Sequence, residues 1–209
     1  MGKGKIIAVI VIILVVAVFG YYYFFMNKPA EQKGITFSEG YAQIKALWEK
    51  HDLSPAYLND ESKLESITGA KLNSLRIDLE QFGSSLDEFK ATSEVSALRD
   101  LAVIQIELVE ETRKAKEIKD LASSLSALED DATICANKKK FATLNEQTKL
   151  LFEQIKSTNS KIKLFIELYP AQAEELKLEN SIVDEEGLSF KIEKSENALE
   201  ELNTLCAAV

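Results

Sequence analysis

Residues that interrupt helices are scarce in this sequence, since its 209 residues include only 8 glycines and 3 prolines. Domains built from short strands and tight turns need more of both, so the shortage argues against a β fold. Histidine occurs once and cysteine twice, too few for an ordinary zinc site. Leucine, alanine, glutamate and lysine, which favour helices, are abundant instead. The composition therefore predicts an all-α protein.

The familiar motifs of catalysis and phosphate binding are absent as well. The sequence holds no glycine-rich phosphate loop, no nucleophile elbow, no HExxH motif and no CxxC motif. His51 stands beside Asp52 at a predicted helix end, where a cationic ring suits the helix dipole, and the sequence reveals no serine or cysteine partner for it. We therefore predict that the chain is not an enzyme, with no catalytic, cofactor-binding or metal-binding residues and no identifiable small-molecule substrate.

The longest apolar run covers Ile6 to Met26 and contains no charged side chain. At about 1.5 Å per residue, a helix of this length spans the roughly 30 Å hydrocarbon layer of a membrane. Its residues are apolar on every face, and its aromatic end, Tyr21 to Phe25, suits the headgroup level. The run predicts a transmembrane signal-anchor. The lysines before it outnumber the one after it, so the positive-inside rule places the N-terminus in the cytoplasm.

Two other interpretations of this run stay open. A signal peptide cleaved after Gly20 is one, because Val18 and Gly20 form a passable small-residue site. A buried helix of a soluble bundle is the other. The apolar stretch beyond Gly20 argues against cleavage, and apolarity on all faces argues against burial. We therefore predict a cytoplasmic tail (1–5), a single-pass anchor (6–26), a linker (27–35) and a helical domain outside the cytoplasm (36–209).

The predicted outer domain is acidic. Without Lys3, Lys5 and Lys28, the 25 basic residues fall to 22 against 34 acidic ones, a formal charge of −12. A surface of this charge repels phosphate backbones, so we predict no nucleic-acid partner.

Helical periodicity continues through the outer domain. A capping box at Thr36 and Glu39 predicts a first helix to about His51. Longer helices are predicted over about 60–90, 93–130 and 132–169, followed by a short one from Pro170 and a last one over about 188–206. The second carries apolar residues at alternating steps of three and four: Leu72, Leu75, Leu79, Phe82, Leu86 and Phe89. The pattern predicts an elongated antiparallel bundle with coiled-coil-like packing.

Three acidic groups are the remaining candidates for ligand chemistry. They are Glu110 and Glu111, the run 129–131, and the run 184–186. None has the alternating spacing of a calcium loop. We expect the first pair to be solvated in mid-helix and the other two to lie at helix ends or turns.

The two cysteines, Cys135 and Cys206, fall in the predicted outer domain. Cys135 begins one long helix, and the helices after it return the chain to the same level at Cys206. Because the compartment is predicted to be oxidising, we favour a disulfide between them. Two buried free thiols are the alternative.

Function is predicted only as a class. We favour a membrane-anchored bundle that acts by protein–protein contact or self-association, as a scaffold, spacer or assembly subunit at the cell envelope. A bundle that senses a ligand outside the cytoplasm and signals through a membrane partner is the alternative. A pocket between helices lined by convergent polar groups would favour sensing, and an exposed apolar stripe would favour self-assembly.

Overall fold

The computed structural model describes residues 33–55 and 66–208, and within them it confirms an all-α fold of helices packed against one another. Seven α-helices are present in these ranges: α1 (Phe37–Lys50), α2 (Gly69–Ser85), α3 (Ser93–Ser126), α4 (Asp131–Ala136), α5 (Lys138–Leu168), α6 (Pro170–Leu176) and α7 (Glu185–Ala208). Short 3₁₀ helices follow α2 at Leu86–Glu88 and α6 at Leu178–Ser181.

Threonine caps set the starts of the first three helices. The predicted capping box is confirmed: the Glu39 amide donates to Thr36 Oγ1 at 3.3 Å, and the Thr36 amide donates to Glu39 Oε2 at 2.9 Å. Thr68 accepts a hydrogen bond from the Lys71 amide and caps α2. The prediction of a continuous helix from about residue 60 is therefore wrong at Ile67 and Thr68, which are not helical. Thr92 caps α3 in the same way.

The predicted helix over 132–169 is also interrupted once. Asn137 leaves the helical conformation, with φ −97° and ψ 8°, and it separates α4 from α5. Its side-chain amide donates to the Thr133 carbonyl oxygen at 2.9 Å. A short amide side chain that bonds to the preceding turn competes with the helix backbone, which accounts for the break.

The long helices are antiparallel neighbours. On α3 and α5, Asp100 pairs with Tyr169 and Lys114 with Gln154, so one helix ascends as the other descends. Helix α7 returns along α5, because Lys163 pairs with Glu185 at the start of α7 and Lys149 pairs with Glu196 further along it. Helix α2 packs against the first half of α3, where Gly83 lies beside Ala102 and Arg76 pairs with Glu110, and α1 contacts both helices. This order confirms the predicted helical bundle.

The main core lies at the end of the bundle where α1 and α2 meet the first half of α3 and the second half of α5. The predicted apolar seam of α2 is confirmed, since five of its side chains are buried: Leu72, Leu75, Leu79, Phe82 and Leu86. They pack with α3 residues such as Leu98 and Leu101, and α5 adds Ile162 and Phe165. Helix α1 closes this core with Ile44 and Trp48.

The distal half, defined as residues 113–157 and 185–207, has a much thinner interior. Leu125 and Asn145 are the only buried residues in it, and the other inward side chains of α3, α5 and α7 are half-buried. Cys135 and Cys206 lie in this half, with their sulfur atoms 1.98 Å apart and their Cα atoms 5.3 Å apart. The predicted pair is thus at disulfide distance, and it joins α4 to the end of α7.

No helix within residues 33–55 and 66–208 is long and apolar enough to cross a membrane. The predicted anchor, Ile6 to Met26, and the tail before it lie outside the described residues, so both stay predictions.

Two helical glycines provide a matched test of the packing. A Cβ on Gly40 would lie 2.3 Å from Leu98 Cδ1, and Leu98 is itself fully buried. A Cβ on Gly83 would meet only Ala102, at 3.9 Å. We expect Gly40→Ala to lower the free energy of unfolding by about 1–3 kcal/mol through overpacking. Gly83→Ala should raise it by about 0.5–1 kcal/mol, because alanine favours a helix. Urea denaturation of both variants checks the opposite signs.

Candidate functional site

A cleft of about 420 Å³ opens between α1, α3, α5 and the segment that follows α6. Its walls are mainly apolar, with Ile44 from α1, Leu108 from α3 and Ile155 from α5. Leu178 and Val183 form the wall on the side of the segment after α6. Pockets for small ligands have this character and occupy about 300–1,000 Å³, so the cleft is the candidate functional site.

Trp48 lines the cleft from the last turn of α1. It is the only tryptophan of the chain, and its side chain is 1 % exposed. Its indole Nε1 is buried and has no hydrogen-bond partner among the described residues. Buried polar groups are normally paired, and leaving one unpaired costs about 1–3 kcal/mol. Trp48 therefore brings an unpaired hydrogen-bond donor to the wall of a mainly apolar site.

Gln105 lies on α3 and lines the same cleft. The residue is 7 % exposed, and its Oε1 is a second buried polar atom without a partner in the described part of the chain. About two turns further along α3, Thr112 donates its hydroxyl proton to the Leu108 carbonyl oxygen at 2.7 Å. Its oxygen lone pairs remain as acceptors.

Glu111 is a buried acid on the cleft wall. It is 8 % exposed, and it accepts a hydrogen bond from the Thr158 hydroxyl of α5. Burial raises the pKa of this carboxyl, and the neighbouring charge of Glu107 adds to the rise, while the Thr158 hydrogen bond opposes it. The expectation that Glu110 and Glu111 are both solvated is therefore wrong for Glu111, because α5 covers it.

The lysines near Glu111 are hydrogen-bonded elsewhere. Lys161 bonds to Glu107, and Lys114 donates to Gln154 Oε1 at 2.5 Å. Glu110, by contrast, is half-buried and pairs with Arg113 at 2.9 Å and with Arg76 of α2 at 3.2 Å. Glu111 is thus the acid that α3 turns toward the cleft.

Asn159 fixes the wall that follows α6. Its side-chain amide donates to the Val183 carbonyl oxygen at 2.9 Å and to Glu185 Oε1 at 3.0 Å. Its Oδ1 accepts a hydrogen bond from the Val183 amide at 3.0 Å. The Asn159 contact also lowers the pKa of Glu185. Because Asn159 is itself buried, it holds the returning chain against α5 and shapes one side of the cleft.

The other candidate residues of the sequence lie away from the cleft. His51 is at the end of α1, as predicted, and its Nε2 lies 2.8 Å from Asp78 Oδ2 of α2. Lys50 donates to the same oxygen at 2.7 Å. These two contacts, Lys50's first, lower the pKa of Asp78. His51 therefore joins α1 to α2.

The remaining acidic groups lie at helix starts. Asp130 caps α4 by accepting a hydrogen bond from the Thr133 amide at 2.8 Å, and that bond lowers the pKa of Asp130. Helix α7 begins at Glu185. No cluster of three or more histidine, cysteine, aspartate or glutamate residues in the described ranges is arranged to hold a metal ion.

Sequence reasoning missed the polar groups of the cleft, although a signal for some of them was present. Apolar residues mark the inward face of α3 at Leu101, Leu108 and Ala115. Polar residues three or four positions from these lie on the same face, namely Gln105, Glu111 and Thr112. Polar residues on an inward helical face indicate either that water reaches this face or that the face forms part of a binding site. Trp48 gave no such signal, because a buried tryptophan on an amphipathic helix resembles core.

Comparisons with known proteins leave the site to be judged on its geometry. No protein family, no curated protein and no solved structure matches this chain. The fold and the cleft therefore carry the functional argument.

Glu111 predicts a dependence of stability on pH. Its pKa is raised in the folded chain, so its protonated form is favoured there, and its contribution to stability is lost as the pH rises through the folded value. Glu111→Gln replaces the carboxyl by an amide of similar shape that stays neutral at every pH in this range. We expect the variant to have a higher melting temperature than the unmodified chain at about pH 7, and the difference to shrink toward about pH 4, near the ordinary pKa of glutamate.

Melting temperatures across this pH range test the expectation, with Glu117→Gln as the control. Glu117 is an exposed glutamate on the same helix, paired with Arg113, so its variant should show no such gain. A gain in both variants, or in neither, would contradict a specific burial effect at Glu111.

Proposed function

We propose that this chain is a non-enzymatic ligand-binding protein that holds a small organic molecule in the cleft. The observation that carries the proposal is that two residues lining one mainly apolar cleft, Trp48 and Gln105, each bear a buried polar atom, Nε1 and Oε1, with no partner among the described residues. A ligand that hydrogen-bonds to both would offset the cost of leaving them unpaired. The surrounding aliphatic side chains would bind its apolar part.

The setting of this function is also a proposal. The apolar run Ile6 to Met26 supports a membrane anchor, and the spacing of the lysines around it supports an outer location for the bundle. Under this arrangement the chain senses or captures its ligand outside the cytoplasm. The cysteines at disulfide distance agree with an oxidising compartment.

Trp48 provides a built-in reporter for the test. The full chain is reconstituted in phosphatidylcholine vesicles and titrated with a panel of water-soluble amphipathic fragments while tryptophan emission is recorded. Ala115 lines the cleft, so Ala115→Phe is designed to fill it. Ala142→Phe adds the same ring at an exposed position of α5 and serves as the control.

We expect some fragments to shift the emission of the unmodified chain and of the Ala142→Phe variant along a saturable curve. Ala115→Phe should abolish the shift while retaining the same helical circular dichroism. If no fragment gives a saturable shift, or if Ala115→Phe responds like the control, the cleft does not bind ligands and the proposal fails.

Self-association is a second candidate function, supported by exposed apolar side chains on the outer faces of α5 and α7. They include Leu150, Leu164 and Leu168 on α5 and Phe190 on α7. A second copy of the chain in the same membrane is the partner proposed for this surface. Crosslinking in vesicles should then yield a dimer that a Leu164→Glu, Leu168→Glu double variant loses. An unchanged yield of crosslinked dimer would exclude this surface as the dimer interface.

A further inference from the structure

Resting on the proposed function, we infer that the ligand is an organic amine with an apolar body and one oxygen acceptor. The inference depends on which polar side chains line the cleft. Three of them bear acceptors: the carboxyl of Glu111, Oε1 of Gln105, which has no partner among the described residues, and the lone pairs of Thr112. An ammonium group carries three donors and no acceptor, which is the complement of this set.

The charge of Glu111 favours a cation over a neutral donor. Lys161 and Lys114, whose charges slightly oppose the rise in the pKa of Glu111, are hydrogen-bonded to Glu107 and Gln154 and not to Glu111 itself. A ligand ammonium against Glu111 would supply the direct ion pair that a buried carboxylate needs. Burial disfavours the charged form of Glu111 and raises the pKa of its carboxyl in the free chain. A ligand ammonium would also stabilise that charged form.

Lys45 does not provide this ion pair. It belongs to the lining of the cleft, but its side chain is exposed and its Nζ lies 6.0 Å from the ring centroid of Tyr41. Lys45 is therefore a rim residue with its charge in water.

Trp48 defines the second polar feature of the ligand. Its Nε1 can only donate, and an ammonium cannot accept. A hydroxyl, carbonyl or ether oxygen on the same molecule would accept this hydrogen bond. The aliphatic walls then take a compact apolar body, and the volume of about 420 Å³ limits the ligand to a small molecule.

Three probes that share one apolar body separate the chemical classes. Phenylalaninol is an amine with a hydroxyl group, 3-phenylpropan-1-ol is the neutral alcohol, and 3-phenylpropanoate is the anion. Each is titrated against the full chain in phosphatidylcholine vesicles at neutral pH, with Trp48 emission as the readout. Glu111→Gln removes the charge in the cleft, and Glu117→Gln removes an exposed charge on the same helix as the control.

We expect phenylalaninol to bind the unmodified chain at least tenfold more tightly than the alcohol, and the anion to bind most weakly. Glu111→Gln should weaken the amine about tenfold and change the alcohol less than twofold, while Glu117→Gln should change neither. If the alcohol or the anion binds as tightly as the amine, or if Glu111→Gln leaves the amine unaffected, the assignment of an amine is wrong although the cleft still binds ligands. If no probe gives a saturable shift, the amine assignment is overturned, and the fragment panel then decides on the cleft itself.

Discussion

Loss of the bond between Cys135 and Cys206 should lower the free energy of unfolding by about 4 kcal/mol, the value expected when a closed loop of this length is opened. The two residues are separated by 71 positions in the chain. The loss should be concentrated in the distal half, because that half has little buried apolar surface to replace the crosslink. Helix α7 in particular has no buried residue in its described part and contacts mainly α5.

Urea denaturation of the Cys135→Ser, Cys206→Ser double variant measures this effect, and hydrogen exchange locates it. Amides of α4 and α7 should exchange faster, while those of α2 and the first half of α3 keep their protection. Reductant added to the oxidised chain should reproduce the change, and reductant added to the double variant should do nothing. Unchanged protection in α7 would contradict a stapling role for the cysteines.

Truncation of Phe165 should destabilise the chain by about 3–5 kcal/mol. Its ring is 1 % exposed in the main core and lies 4.9 Å, centroid to centroid, from that of Tyr169. Phe165→Ala removes the buried ring and leaves a cavity that the surrounding helices cannot fully close. The neighbouring Leu164 is 53 % exposed, so Leu164→Ala should cost less than about 0.5 kcal/mol.

Urea denaturation of these two adjacent variants tests the position of the core. Phe165 and Leu164 are adjacent on the same helix but differ in burial. Comparing the two losses of stability therefore separates the effect of packing from the effect of placing alanine in this helix. Equal losses in both variants, or a small loss for Phe165→Ala, would contradict the placement of the second half of α5 in the core.

The sequence predicted the class of fold and much of its local structure, because these depend on near neighbours in the chain. The capping box of Thr36 and Glu39 and the apolar seam of α2 both follow from spacings of three and four residues. The pairing of Cys135 with Cys206 also followed, since helix lengths alone return the chain to the same level.

Features that depend on distant parts of the chain could not be predicted in this way. Glu111 is buried because Thr158, 47 positions away, lies opposite it. One wall of the cleft exists because Asn159 bonds to Val183, 24 positions away. The break at Asn137 has a local cause, but an asparagine within a helical pattern is ambiguous until its hydrogen bond to Thr133 is seen.

The hydrogen bonding of Trp48 Nε1 tests the central claim, that the cleft binds a ligand, most directly. Ultraviolet resonance Raman spectroscopy reports this group through an indole band that includes N–H bending, and Trp48 is the sole tryptophan in the chain. In the full chain in vesicles, we predict that this band has the position of a weakly bonded N–H and moves to that of a hydrogen-bonded one when a fragment of the panel that shifts the Trp48 emission saturates the cleft. A band already at the hydrogen-bonded position in the free chain, and unmoved by every fragment of the panel, would contradict the claim.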